Sequence, residues 1–578
     1  MHLRDRAVIG LLSLILVGLT GAVVAPSLAP GGPGPTPGSS LPVLRTYVEG
    51  IVGSAVSVSP FSAQSVAERQ VVALLFKGLV RLGPDDQLIG DLAERWDVDA
   101  DGRAWTFHLR PGLLWQDGQP LTAQDVLFTV GALSDPSYAG PGAASWREVT
   151  ATASDPLTVT LTLATPLGGF LEAATQPIAP AHLLAGIEPA DLPNDEFGRH
   201  PVGSGSFRLA VFDDTRALLL PHVAEPVPTG PDGPLASAPA PTDSLATAAP
   251  SARAGGPLPY LNGIEFRFFK DAEALMVAWG LGQLDGVAGL SAAEASELAA
   301  GGGARVLRYP STTLFEVLLN LRPSHPEFQD AAVRKALLQA IDRDEIVRDL
   351  LGGLATRADS LIPPTSWAFD PLTSVPVAFD QEAAKAALLA AGWKLDDAGR
   401  WIIKGAKSAF DMEILSPQAI ANPTAFAIAD AVAAAWRAIG LRVSHIALPG
   451  AEFVGERLQA GDYDAAVTGT TIGLDPDLYP ILASTQATSS GSNFSGLQDP
   501  ALDPLLIKAR APGTEEERAG AYVALQARLA ESSYILPVAF RDLIVVVRDT
   551  LTGPRPRPVG GPGDRFWDVL TWRLADGR

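Results

Sequence analysis

The segment GLVRLGPDDQLIGDLAERWDVDADGRAWTFHLRPGLLWQDGQPLTAQDVLFT, from Gly78 to Thr129, contains the clearest strand and helix patterns of the chain. Within it, Ala104 to Arg110 alternates apolar and polar residues with the period of a half-buried strand. The turn dipeptides Pro111-Gly112 and Asp117-Gly118 bracket Leu113 to Trp115. The segment therefore predicts a strand, a turn and a second strand.

Helix patterns flank this unit on both sides. Thr122 and Asp125 form a capping-box pattern at the start of an apolar stretch with helical spacing, so a helix begins at once after the second turn. Upstream, Val66 to Leu79 has the same spacing and predicts a helix that ends near Gly78. Strands and helices thus alternate along the chain.

The second half of the chain repeats this alternation. Asp330 caps a predicted helix over Ala331 to Ala340, and Asp342 with Glu345 opens another that ends near Gly352. Two further helices are predicted over Gln381 to Ala391 and Ala425 to Ile439, each closed by a glycine, and the second precedes the strand-like Arg442 to Ala447. This order indicates an α/β fold.

Length and composition limit the class of protein. With 578 residues the chain exceeds what one core organises, and at about 100 to 200 residues per domain it predicts roughly three units. Hydrophobic residues make up 47%, which is enough for packed cores. The net charge of -21 repels phosphate backbones, so a nucleic-acid partner is not expected.

The N-terminus has the pattern of an export signal or a membrane anchor. Arg4 and Arg6 precede an apolar stretch from Ala7 to Ala25, which is about long enough to cross a bilayer as a helix. Prolines follow both plausible cleavage points, at Pro26 and Pro30, and this favours an uncleaved anchor over a removed signal. We expect an extracytoplasmic protein, N-terminally anchored or secreted, with no later span.

Two segments rich in proline and small residues interrupt the folded pattern. Pro26 to Ser40 is interpreted as a flexible tether. Pro221 to Gly256 is interpreted as a disordered surface insertion, with a domain linker as the alternative. The flanking Ser206 to Leu220 and Tyr260 to Lys270 both have strand patterns that could pair across it.

The usual catalytic and metal-binding patterns are missing from the sequence. The chain has no cysteine, its seven histidines show no ligand spacing, and no phosphate-binding loop or nucleophile elbow occurs. Carboxylate pairs such as Asp475 with Asp477 do not by themselves give the separation that glycoside hydrolysis needs. We therefore expect neither an enzyme nor a cofactor or metal. Tryptophans suit a ligand site or a core: Trp115, Trp146, Trp279, Trp367, Trp401 and Trp436.

Several long segments carry a family resemblance. The Gly78 to Thr129 segment closely resembles the oligopeptide and dipeptide binding family of ABC-importer solute receptors, often called family 5. The resemblance continues through PVGSGSF at Pro201 to Phe207, GQLDG at Gly282 to Gly286, and IPP at Ile362 to Pro364. It includes three longer segments, LNLRPSHPEFQDAAVRKALLQAIDRDEIV from Leu319 to Val347, GDYDAAVTGTTIGLDPDLY from Gly461 to Tyr479 and NFSGLQDPALDPLLIKA from Asn493 to Ala509.

The resemblance implies a two-lobed, type II periplasmic-binding-protein-like fold with a hinge and a small extra domain. Lobe I would comprise 41–60, 200–312 and 530–578, the extra domain 61–199, and lobe II 313–529, after an anchor and tether at 1–40. Most of the recognised residues would be structural, namely the Asp101-Gly102 and Asp117-Gly118 turns, the Thr122 and Asp342 caps, and Arg334 tied to a carboxylate or carbonyl.

The same resemblance points to ligand-facing segments at Val58 to Phe61, Phe315 to Asn320, the loop around Trp367, and Thr468 to Asp475. The candidate ligand residues are Phe61, Trp146, Phe315, Asn320, Trp367, Thr470, Thr471 and Asp475. Peptide receptors of the family commonly hold the ligand amine on an aspartate that is missing here. Asp475 or Asp477 could replace it, although Asp475 could equally cap a helix.

The function implied is a monomeric receptor whose lobes close on a peptide or related small ligand and present it to ABC permease subunits. Because the expected amine partner is missing, an oligosaccharide ligand stays open. A membrane-anchored sensor of the same fold is the first rival, and a hydrolase that has borrowed the fold is the second.

Overall fold

An eleven-stranded mixed sheet runs through the computed structural model, which describes residues 45–222, 260–489 and 491–575. Its strand order is β17-β16-β18-β12-β19-β11-β1-β10-β9-β8, with β13 paired to β19 beside this path. The strands of this sheet are β1 (Thr46–Val52), β8 (Phe207–Phe212), β9 (Arg216–Pro221), β10 (Gly263–Phe269), β11 (Gly286–Ala288), β12 (Ala304–Leu319), β13 (Ala355–Arg357), β16 (Asp411–Pro417), β17 (Arg442–Leu448), β18 (Ala465–Thr471) and β19 (Ile535–Arg548).

Smaller sheets and helices complete the architecture. A four-stranded antiparallel sheet has the order β4 (Ala93–Val98), β5 (Ala104–Leu109), β7 (Thr158–Leu163), β6 (Val149–Asp155). Three two-stranded ribbons are β2 (Val80–Leu82) with β3 (Leu88–Gly90), β14 (Lys394–Leu395) with β15 (Trp401–Ile402), and β20 (Leu551–Thr552) with β21 (Arg573–Leu574).

The α-helices are α1 (Val66–Leu75), α2 (Ala123–Ser134), α3 (Ala143–Trp146), α4 (Phe170–Ala173), α5 (Ala181–Leu184), α6 (Ala272–Gly280), α7 (Ala292–Ala300), α8 (Ala331–Gln339), α9 (Arg343–Glu345), α10 (Gln381–Ala390), α11 (Pro423–Ala438), α12 (Tyr479–Leu482), α13 (Asp503–Ala509) and α14 (Glu515–Ser532). Two π-helical segments are Ile346–Leu350 and Glu452–Leu458.

Two long strands connect two separate hydrophobic cores. One core extends from Leu314 to Phe540, and another combines residues from Tyr47 to Tyr309 with Val545 to Trp572. Only β12 and β19 carry residues into both of these cores within the described residues, and they pair antiparallel along their length. Their register shifts between Pro310 and Leu314, at the point where the cores divide. This is the two-lobed α/β architecture with a hinge that the sequence predicts.

The domain boundaries stay a prediction, but the cores bear on them. The four-stranded sheet lies within the predicted extra domain, 61–199, yet its buried residues share one core with β1 and β10. The core of the second lobe reaches Phe540, beyond the predicted boundary at 529. Ile535 to Phe540 lies in that core because β19 enters the second lobe before it crosses the hinge.

Several of the recognised residues have the structural roles expected of them. Thr122 and Asp125 form a capping box at α2, and Asp342 accepts the amide of Glu345 at α9. Gly102 and Gly118 adopt φ of 66° and 87°, which favours glycine. Arg334 is buried and donates to four backbone carbonyls, those of Phe328, Gln329, Ser532 and Ser533.

Two local predictions are wrong, and a third is confirmed with a change of helix type. Leu113 to Trp115 forms no strand, because its ladder is limited to one bridge between Leu114 and Pro120. The helix predicted to end near Gly78 ends at Leu75, because the backbone adopts an extended conformation at Phe76. The helix predicted to open at Asp342 and to end near Gly352 is confirmed: it is α-helical to Glu345 and π-helical over Ile346–Leu350.

The predicted insertion connects two neighbouring strands. β9 and β10 pair antiparallel, with Leu219 opposite Ile264, so their connection, mostly outside the described residues at 223–259, joins one sheet to itself. A link between domains is therefore excluded at this position. The predicted anchor and tether also lie outside the described residues, and among those described no helix has the length and hydropathy of a membrane span.

Candidate ligand-binding site

The candidate site lies where β12 leaves the hinge and pairs with β18. Thr313 lies opposite Thr471, with their hydroxyl oxygens 3.2 Å apart, and Leu314 lies opposite Thr470. Gly469 and Thr471 are exposed, whereas Phe315 is buried with its ring directly beside Gly469. The structure therefore brings three of the predicted residues, Phe315, Thr470 and Thr471, together on adjacent strands.

A buried carboxylate lies beneath these threonines. The Glu316 side chain is 1% exposed, and one of its oxygens accepts hydrogen bonds from the hydroxyls of Thr470 at 2.6 Å and Thr468 at 3.2 Å. Its second oxygen has no partner among the described residues. Desolvation raises the pKa of Glu316 to about 7, against the lowering effect of the two hydroxyls. Glu316 fixes the orientation of Thr470.

A second cluster joins Trp367 to Asp475 through an arginine. The Arg518 guanidinium lies 5.0 Å from the centre of the Trp367 ring and donates to both carboxylate oxygens of Asp475, one at 2.7 Å. Tyr522 packs edge-on against Trp367 and donates its hydroxyl to the carbonyl of Pro476. Bidentate pairing of this kind occupies the carboxylate in a fixed plane.

The contacts of Asp475 match neither of the two roles that the sequence suggested for it. As the amine partner of a ligand it would have to exchange an arginine that is only 5% exposed. The helix-capping alternative is wrong, because α12 begins at Tyr479 and the amide of Tyr479 donates to Asp477 instead. Asp477 is itself paired with Arg510 at 3.0 Å.

The remaining three predicted residues lie elsewhere in the interior. Phe61 is fully buried between the rings of Phe128 and Tyr138. Trp146 is 4% exposed and packs on a phenylalanine of α4. Asn320 donates to the carbonyls of Gly461 and Tyr463 at the far end of β12.

Asn320 is separated from the threonine pair along the strand. At about 3.3 Å per residue, the seven positions from Thr313 to Asn320 span roughly 23 Å. The structure therefore does not bring Asn320 together with Thr471. Phe61 and Trp146 belong to the core of the first lobe, whereas Phe315 belongs to that of the second.

The two lobes touch beside this site. The Glu172 carboxylate, from α4, accepts the backbone amides of Leu474 and Asp475, both at 2.9 Å. The amide of Gly168 donates to the carbonyl of Arg510. Desolvation raises the pKa of Glu172 to about 7, and the nearby charges of Asp475 and Asp564 raise it further, against the two amide hydrogen bonds. These contacts hold the lobes together next to Asp475.

Sequence reasoning missed two residues of this region. Glu172 lies in a short helix whose pattern gives no sign of a contact 302 positions away. Arg541 had a detectable signal, since Arg541-Asp542 places two charges inside the apolar strand ILPVAFRDLIVVVR. Charged residues inside a buried strand need a partner or a cleft.

Two other features of the described residues lie apart from the predicted site. A cavity of about 720 Å³ is lined by α1 and by residues between Gly561 and Leu570, and it contains none of the eight predicted residues. Oxygen and nitrogen atoms of His325, Glu327 and Asp464 lie within 4.8 Å of one another, a spacing compatible with a metal ion. The imidazole and Glu327 are 2.8 Å apart, which an ordinary hydrogen bond accounts for.

The family model of bacterial extracellular solute-binding proteins, family 5 (middle), matches residues 87–492, which is more than half of the chain. The chain belongs to this family. Its members are solute-binding receptors that work outside the cytoplasm. The expected fold class and function class are thereby confirmed.

Relatives and solved structures agree with this assignment. The dipeptide-binding protein of Escherichia coli is 24% identical over 503 residues, which cover 82% of this chain and 85% of the relative. The oligopeptide-binding protein AppA of Bacillus subtilis, solved with a nonapeptide, has a TM-score of 0.71 at 22% identity and covers 92% of this chain and 100% of that one. NikZ of Campylobacter jejuni, solved with Ni(L-His), has a TM-score of 0.70 at 23% identity and covers 91% and 99%.

Proposed function

We propose that this protein binds a peptide or a related amino-acid derivative between its two lobes and delivers it to the permease of an ABC importer. The observation that carries the proposal is the hinge, where β12 and β19 alone join the two main cores among the described residues. A joint of two strands lets the lobes rotate as bodies with little internal change. The contact of Glu172 with Leu474 and Asp475 then corresponds to a closed arrangement.

The ligand class follows from relatives and from the site. The dipeptide-binding protein of Escherichia coli and AppA of Bacillus subtilis are named for peptides, and NikZ of Campylobacter jejuni was solved with a histidine complex of nickel. Main-chain groups of a peptide suit the exposed hydroxyl of Thr471 and the backbone of Gly469. We propose a monomer, held outside the membrane by its N-terminus, that breaks no bond in its ligand.

Native mass spectrometry of the purified protein tests the ligand class. We expect a co-purified mass that is lost on denaturation and whose fragmentation gives amino-acid residues. A co-purified sugar, or a ligand released in chemically altered form, would contradict the proposal.

Small-angle X-ray scattering tests the closure. We expect the radius of gyration to fall when the isolated ligand is added back to stripped protein. Gly169→Ala should block this change, because a Cβ at Gly169 would lie 2.8 Å from the carboxylate carbon of Asp475 across the lobe contact. Gly186→Ala is the matched control, since a Cβ there meets nothing within 4 Å. An unchanged radius on ligand addition to the wild-type protein would contradict closure.

A further inference from the structure

Arg541 lies on the hinge, opposite an irregular stretch of the neighbouring strand. Asp542 pairs with Pro310 and Phe540 pairs with Leu314, so the single residue Arg541 faces the three residues between them, 311–313. On its other side β19 pairs regularly with β13, where Ala355 lies opposite Arg541. The regular pairing shows that β19 keeps its alternation of faces through this bulge.

The Arg541 side chain is accessible and has no hydrogen-bond or ion-pair partner among the described residues. Its neighbours along the strand, Phe540 and Asp542, are each 3% exposed, whereas Arg541 itself is exposed. Asp542 is occupied by Arg308, whose Nε donates to it at 2.7 Å. Across residues 45–222, 260–489 and 491–575, no carboxylate or hydrogen-bond acceptor contacts the Arg541 guanidinium. Partial desolvation lowers the pKa of Arg541, with no opposing contribution from a carboxylate among the described residues.

Arg541 faces the same side of the sheet as the threonine pair. Arg541 and Ala539 are two residues apart and share a face, and Ala539 lies opposite Phe315. Phe315 in turn lies opposite Gly469, which is two residues from Thr471. One face of three adjacent strands therefore presents a guanidinium on β19 and the hydroxyl of Thr471 on β18, with the hydroxyl of Thr313 bonded to it from β12.

The nearby acids are engaged in contacts of their own. Asp475 is bound to Arg518, and Glu172 accepts two backbone amides. Within the part of the chain that the structure describes, the cleft face thus carries a cation without a counter-charge, in a protein whose net charge is -21. A planar guanidinium recognises a carboxylate through two parallel hydrogen bonds, and hydroxyl groups complete such a site.

We propose that Arg541, assisted by the hydroxyls of Thr313 and Thr471, binds a carboxylate group of the transported ligand at the hinge. The inference rests on the proposed function and deepens it, since it selects anionic ligands and peptides held by a free carboxylate. In this proposal the receptor recognises a negative charge of the ligand with Arg541. It does not recognise the positive charge of a ligand amine with Asp475.

Two tripeptide mixtures test the site, one with free C-terminal carboxylates and the same mixture amidated at the C-terminus. Each is passed over immobilised full-length protein, and the retained peptides are quantified by mass spectrometry. We expect at least tenfold greater retention of the free acids, because a charge-assisted hydrogen-bond pair is lost on amidation. Arg541→Gln should abolish this preference. Arg208→Gln, the same change at an exposed arginine on the edge strand β8, should preserve it.

A chemical readout covers the case in which Arg541→Gln is unstable. Phenylglyoxal modifies accessible arginines, so Arg541 should react in the stripped wild-type protein and should be protected by the free-acid mixture, while Arg208 reacts in both. Equal retention of the two mixtures, or no protection of Arg541, would overturn the carboxylate site and leave peptide binding intact. If the protein retains neither mixture but binds succinate or citrate in a way that depends on Arg541, the peptide ligand would be overturned and the carboxylate site supported. Failure of every probe would overturn both.

Discussion

The Arg518 guanidinium donates to both oxygens of the Asp475 carboxylate, and the pair lies against the ring of Trp367. The two residues are 43 positions apart and come from the loop after β18 and from α14. Their pairing explains why Asp475, although placed near the lobe contact, is not available as a free acid. The pairing also fixes the loop in which the backbone amides of Leu474 and Asp475 donate hydrogen bonds to the Glu172 carboxylate.

Asp475→Asn should destabilise the protein more than it changes ligand selection. The substitution leaves Arg518 buried without its counter-charge, and the loss of a hydrogen-bonded charge partner costs about 2–3 kcal/mol. The free energy of unfolding from urea titration measures this. Asp349→Asn, which removes one partner of an ion pair exposed on both sides, should leave the free energy of unfolding nearly unchanged. A free-amine peptide and its N-acetylated form should lose equal affinity in Asp475→Asn, and a selective loss for the free amine would restore Asp475 as an amine partner.

Glu172 should make stability depend on pH. Its pKa is raised from 4.5 to about 7 in the folded protein, so the folded state binds this proton more tightly than the unfolded state. The free energy of unfolding should therefore fall as pH rises from about 4.5 to about 7, by about 1.4 kcal/mol per unit and up to about 3 kcal/mol in all. Below about pH 4.5, Glu172 makes its full contribution to the free energy of unfolding.

Glu172→Gln should make this part of the profile shallower by the share that Glu172 contributes. The amide stays neutral at every pH, and its loss of one backbone hydrogen bond adds an offset of about 1 kcal/mol that does not vary with pH. Urea titrations from pH 4.5 to pH 8 measure the slope. The exposed Glu188→Gln should leave the slope unchanged. An equal slope in wild type and Glu172→Gln would disprove the assignment.

Glu316 should be a second group with this behaviour, in the interior of the other lobe. Burial raises its pKa to about 7, so its protonated form should be seen by difference infrared spectroscopy as a buried carboxyl band that disappears as pH rises through 7. Glu316→Gln should lose the Glu316 contribution to that band, with the contribution of Glu172 left in place, and should be more stable than wild type above pH 8, because it leaves no charge at position 316 in the core. A band of unchanged intensity in Glu316→Gln would mean that other carboxyl groups are responsible for it.

Replacement of residues 223–259 by a short turn should leave the fold intact. The strands on either side of this segment, β9 and β10, are neighbours about 4.8 Å apart in one sheet, so a turn of a few residues can connect them. We expect a thermal midpoint within about 4 °C of wild type, because the entropic cost of closing a connection changes only slowly with its length. Loss of the cooperative transition would show that the segment packs on the sheet.

Local sequence patterns correctly predicted the elements whose structure depends on residues close by in the chain. The capping box at Thr122, the strand at Ala104–Leu109 and the helix at Gln381–Ala390 were all predictable, because caps and periodicity act within a few residues. Leu113 to Trp115 failed for the converse reason. Its turn dipeptides were right, but no partner strand lies beside it beyond one bridge.

The sequence by itself determined the α/β class, the order of the elements and, through long matched segments, the family. The family resemblance named Phe315, Thr470 and Thr471 among eight candidate residues, and the pairing of β12 with β18 then brought these three together. Only the tertiary structure decided that Asp475 pairs with Arg518, that Glu172 accepts the amide of Leu474, and that Arg541 has no partner in the described ranges. Charge pairing depends on distances between residues far apart in the chain, and those distances exist only once the lobes have folded and met.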